Sequence, residues 1–139
     1  MPLEQQVCSL ELAKELKELG YPQESLFYWD IGKFPVRQDG KDRKPFIQFS
    51  KKVLINESYI SAPTVAELGK KLPQIIKIKK IKYQLFCSVA MDKKWFVVYA
   101  NEKDYTDNAP FPFLICDTEA DARAKMLIYL IKNKHIELK

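Results

Sequence analysis

The chain is poor in the residue types that chemistry most often needs. Its 139 residues hold one histidine, His135, and three cysteines, Cys8, Cys87 and Cys116, set far apart. Zinc sites draw on closely spaced ligand pairs and disulfide frameworks on an even set of cysteines, so this spacing supports neither. Reduced, mostly buried thiols in a cytosolic protein are the expectation. Four glycines leave no nucleotide-binding signature. No stretch approaches the roughly 18 apolar residues of a membrane span. The start, Met1-Pro-Leu-Glu-Gln-Gln-Val-Cys8, lacks a basic region followed by an apolar one, so it reads as neither secreted nor membrane-bound.

Arginine is scarce too. Of 23 positive residues only Arg37, Arg43 and Arg123 are arginine. The net charge of +5 hides an uneven distribution: residues 33–94 hold 15 Lys or Arg against 5 Asp or Glu, a surplus of +10, and the flanks together carry −5. A basic middle between acidic flanks is a footprint for nucleic acid or for an acidic partner. Lysine is the weaker bidentate reader of phosphates and bases, so its dominance argues more for solubility than for specific readout.

What is present is an ordinary globular composition, 47% hydrophobic and 12% aromatic, sufficient for one domain with a sizeable core. Leu12, Leu16, Leu19 and Ala13 recur at helical spacing over Leu10–Leu19, with Ser9 as N-cap, Gly20 as the left-handed stop and Pro22 behind it. Leu26-Phe27-Tyr28-Trp29 then reads as a strand, and Gly32 to Pro45, rich in charge, glycine and proline, as a basic loop. Phe46–Phe49 and Val53–Ile60 read as short strands. Thr64-Val-Ala-Glu67 has the spacing of a capping box and opens a short helix that Pro73 ends. Ile75 to Ala90 reads as one long strand, paired through Met91–Lys94 with Trp95–Ala100 in an antiparallel hairpin, and Leu114–Cys116 as one more short strand. Apolar residues at both parities suggest strands partly covered on each side. Thr118 caps a last helix over Glu119–Lys132, broad in its apolar face. The expected fold is therefore α+β, a single domain with an antiparallel sheet packed by helices in the order α-β-loop-β-β-α-β-β-α.

Three blocks carry a resemblance: residues 9–29, 61–73 and 118–130, the last reading Thr118-Glu-Ala-Asp-Ala-Arg-Ala-Lys-Met-Leu-Ile-Tyr-Leu130. In that order they resemble a group of small uncharacterised phage and prophage proteins. The resemblance implies a bacterial or phage-infected cytoplasm as the setting. It transfers no catalytic residue.

Cys116, Asp117 and His135 form the one nucleophilic grouping that can be drawn. His135, just past a helix end, more simply meets terminal carbonyls. A helix-turn-helix reading over Leu16, Gly20 and Leu26 founders on its recognition segment, Gln23 to Gly32, which has two acidic residues and no basic one. No catalytic residue, metal or cofactor is assigned, and the expected function is a non-enzymatic binding or regulatory module acting on a protein partner. The alternative is nucleic-acid binding through the basic middle, by Arg37, Lys41, Arg43, Lys44, Lys77, Lys79, Lys80 and Lys82, with Tyr83 and Phe86 close enough to stack on bases. Tyr28, Trp29, Trp95 and Tyr99, within a wider aromatic set that includes Phe96, Phe111 and Phe113, form a candidate patch, with core packing as their other fate.

Overall fold

A computed structural model describes residues 2–31, 45–49, 59–101 and 110–138. Most of the expected basic loop, the cations Arg37, Lys41, Arg43 and Lys44, and most of the expected strand Val53–Ile60 lie outside the described residues.

The best-specified helix, α2 (Leu10–Glu18), buries Ala13 and Leu16. Its end follows from Gly20, whose φ of 91° lets Gly20 donate to Lys17 O and Tyr21 to Leu16 O. Those paired bonds satisfy carbonyls the helix would otherwise leave open. The start differs from expectation: Ser9 stands at the N-cap without a side-chain cap bond, and its backbone N–H donates to Asp121 Oδ1 at 2.7 Å instead. A one-turn helix, α1 (Leu3–Gln6), precedes it.

The capping box at Thr64 opens α3 (Val65–Lys71) with both reciprocal bonds present. Glu67 does more than close the box. One carboxylate oxygen accepts from Thr64 N at 2.8 Å and the other from Leu26 N at 3.0 Å, tying the helix to the chain ahead of β1. α4 (Glu119–Lys132), capped by Thr118, buries seven residues from Ala120 to Leu130. Burial round most of its circumference makes it the central helix, and it packs on α1, α2, α3 and the strands Trp95–Ala100 and Leu114–Cys116.

Among the described residues the strands form two antiparallel sheets rather than one. The smaller has the order β2-β1-β3, from β1 (Phe27–Asp30), β2 (Phe46–Phe49) and β3 (Tyr59–Ser61). The larger runs β4-β5-β6-β7, from β4 (Ile75–Ile78), β5 (Ile81–Val89), β6 (Trp95–Ala100) and β7 (Leu114–Cys116). The expected long strand from Ile75 is thus broken by a two-residue turn at Lys79-Lys80, which pairs Ile78 with Ile81. Both lysines take positive φ, 49° and 70°. That backbone matches the strand twist of a hairpin but is costly without glycine or asparagine, so the sequence gives no turn signal there. The β5–β6 hairpin forms as expected, pairing Val89 with Trp95. The fold is α+β, and one hydrophobic cluster joins residues of α2, α3, α4 and both sheets.

Candidate binding face

Alternation along the four-stranded sheet divides its side chains into two faces. The registers pair Ile76 with Tyr83, Leu85 with Tyr99, Cys87 with Val97, and Val97 with Leu114. This set belongs to or packs against the core beneath α4. The opposite parity pairs Lys77 with Lys82, Gln84 with both Ile75 and Ala100, Phe86 with Val98, and Phe96 with both Ser88 and Ile115. Phe113 joins this second face by stacking on Phe96, with ring centroids 4.9 Å apart and planes 23° apart.

The second face is apolar and open to solvent. Ile75 is 56% exposed, Phe86 39%, Phe113 56% and Ile115 47%. Exposed apolar groups gathered on one surface mark interaction sites, whereas isolated ones are unremarkable. Its charged members, Lys77 and Lys82, have the same sign, and the turn lysines Lys79 and Lys80 lie at the same end. None of the paired residues on this face is Asp or Glu, and just past β7 the exposed Asp117 stands 3.8 Å from Lys94. At the lysine end a recess of about 520 Å³ is lined by residues that include Ile75, Lys80, Lys82, Gln84 and Asn101. The Asn101 amide is held there by donating to Lys82 O at 2.8 Å.

The structure brings Lys77, Lys82 and Phe86 onto one face and puts Tyr83 on the other, in the core. The four aromatics of the candidate patch divide between the two sheets. Tyr28 is buried and donates its hydroxyl to Gln23 O at 2.8 Å; Tyr99 is fully buried and donates to Pro73 O at 2.6 Å. The half-buried Trp29 donates its indole N–H to Cys8 O at 3.0 Å, and Trp95 packs against the core. Tyr28 and Tyr99 are core side chains with bonded hydroxyls, and Trp29 and Trp95 are partly buried against the core. The rings on the outer face are Phe86 and Phe113, both exposed, and the half-buried Phe96, and register is what separates the two sets. In Trp95-Phe96-Val97-Val98-Tyr99 both parities are apolar, so the sequence names neither as the outward one.

The thiols are poor nucleophiles in this setting. Burial pushes the pKa of Cys8 and Cys116 up. Cys87 is pushed up to about 11, chiefly by burial, with Arg123 pulling the other way and Glu119 adding to the rise. Thiols held protonated at neutral pH supply little thiolate. His135 meets Phe111 and Tyr129 through its ring, with centroid distances of 5.1 and 6.1 Å, and its backbone N–H caps α4 by donating to Leu130 O. Among the described residues no group of three or more His, Cys, Asp or Glu is placed to hold a metal ion, and no helix is long and apolar enough to cross a membrane.

No protein-family model, curated protein or solved structure matches the chain.

Proposed function

We propose that this protein is a non-enzymatic binding module whose working surface is the outer face of the β4-β5-β6-β7 sheet, and that its partner is anionic and carries apolar or planar groups. One observation carries the reading: Phe86, Phe96, Phe113, Val98 and Ile115 share a solvent-facing surface whose charged residues are lysines. An apolar surface of this kind gains free energy when covered, at about 25 cal/mol per Å² of apolar area removed from water. The lysines add long-range attraction and set the sign of the partner. A protein with an acidic, apolar surface meets that description, as does a nucleic acid. The setting that the three resembling blocks suggest, a phage or prophage in a bacterial cytoplasm, suits a small regulatory module of this kind.

The test uses an anionic aromatic dye, anilinonaphthalene sulfonate, whose fluorescence rises in apolar surroundings. The natively folded protein should bind it saturably, and Phe86→Ser and Lys82→Glu should each weaken binding without lowering the cooperativity of thermal unfolding. Both side chains are on a solvent-facing surface, so folding should survive. Absence of dye binding by the native protein, or equal binding by both variants, overturns the reading.

A further inference from the structure

Resting on the reading of the outer face as the working surface, we propose that its occupant is single-stranded nucleic acid. Bases would stack on Phe86, Phe96 and Phe113, and phosphates would lie along Lys77, Lys80 and Lys82. Charge selects the class: the paired residues of the face include cations and no carboxylate, and the exposed Asp117 past β7 is matched by Lys94. A polyanion gains from every cation gathered at the lysine end, whereas a folded protein partner also has cations to place.

Ring geometry adds a second argument. Phe96 and Phe113 already stand as a near-parallel pair, 23° apart, on neighbouring segments. A base extends such a column without needing a specific edge contact, because every base has a π-face. Phe86, on the adjoining strand, offers a further ring at 39% exposure. Along β5, Lys82 and Phe86 are four residues apart, roughly 13 Å at about 3.3 Å per residue. The face therefore has length for a short strand of nucleotides with its backbone towards the lysines. Gln84, between them on the same face, adds a side chain that both donates and accepts.

Duplex is excluded by shape. Four strands, spaced by about 4.8 Å, make a surface roughly 14 Å across before side chains are added, wider than the roughly 12 Å major groove. Rings on such a surface reach only unpaired bases. The scarcity of arginine agrees with sequence-tolerant binding, since bidentate base readout is mainly an arginine task.

The experiment is fluorescence anisotropy with a labelled oligothymidylate of about 15 nucleotides, the same label on a duplex, and salt raised from about 50 to about 200 mM. Single strand should bind at least about tenfold tighter than duplex, and three phosphate contacts predict a slope of log affinity on log salt near −2. Phe86→Leu and Phe113→Leu should each weaken binding by about fivefold or more, and Phe86→Tyr should retain it, because leucine keeps apolar area and loses the π-face. The double variant Lys77→Gln/Lys82→Gln should flatten the salt slope by about 1.4. Equal affinity for duplex, tolerance of both leucine variants, or no binding at low salt overturns the proposal. If the dye binds this face and the oligonucleotide does not, the partner is a protein and the binding-module reading survives. If neither binds, both readings fall.

Discussion

Glu67 shows how one side chain can set local structure beyond its own helix. Its two carboxylate oxygens hold Thr64 N and Leu26 N, and Thr64 Oγ1 in turn accepts from Glu67 N at 3.2 Å. Glu67→Ala leaves two backbone donors without their partner; the Thr64 N–H is part-buried and turns only partly to water, while the Leu26 N–H lies in an exposed bond. The expected loss is about 1 to 2 kcal/mol by denaturant titration. Glu67→Gln keeps one acceptor oxygen and offers an NH₂ where the other donor points, so its loss should fall between that of alanine and zero. An equal loss in both variants would mean that the retained oxygen contributes nothing, and no loss with glutamine that the replaced one contributes nothing. Buried hydroxyls are similarly arranged: Ser25 and Ser61 share a hydrogen bond between their side chains, and Gln23 accepts from Ser61 N at 2.9 Å. Such polar joints, together with Trp29 on Cys8 O, fasten the smaller sheet to the α1–α2 segment.

At the scale of elements, the parts legible in sequence were those governed by local chemistry. The stop at Gly20, the capping box at Thr64, the cap at Thr118 and the spacing of Leu12, Leu16 and Leu19 each act within a turn or two of chain, and each has its counterpart in α2, α3 or α4. The division into two sheets was not legible, because it depends on which strands meet, and no residue of Phe27–Asp30 announces Phe46–Phe49 and Tyr59–Ser61 as its neighbours. The outward face was half legible: Lys77, Lys82 and Phe86 were singled out, but the assignment of Tyr83 and Tyr99 to the core required the register. The Lys79-Lys80 turn was hidden for a different reason, since both residues hold a left-handed backbone that their type disfavours. Backbone strain of this sort costs of order 1 to 3 kcal/mol per residue. Lys79→Asn/Lys80→Gly, the preferred pair for such a turn, should therefore stabilise the protein by about 1 to 2 kcal/mol in thermal or urea unfolding. It should also weaken binding of an anionic partner, because Lys80 lines the recess at the edge of the face. On the proposed reading, this strain is a stability cost tied to function. A stabilised variant with undiminished binding would count against the turn lysines as contacts.

At the scale of the whole molecule, several buried acids titrate with the same sign. Burial raises the pKa of Cys8, Cys87, Cys116, Tyr21 and Tyr99, from ordinary values of 9.0 for the thiols and 10.0 for the phenols. Each group holds its proton to higher pH when folded than when unfolded. Below about pH 8 both states are protonated and these groups leave stability unchanged. As pH rises through 9 the unfolded thiols ionise first, and from 10 the unfolded phenols follow, so the unfolded state binds fewer protons and stability falls. For Cys87 the fall continues to about pH 11, where the folded thiol ionises as well. The urea midpoint should therefore lose almost nothing to these groups between pH 7 and about 8 and decline progressively above it. Tyr99→Phe removes one of these titrations along with the bond to Pro73 O, so that variant should be less stable at pH 8 yet decline less steeply above pH 10. A midpoint that held steady or rose between pH 9 and 11 would mean that these side chains reach water freely, and that the core beneath α4 is looser than its packing implies.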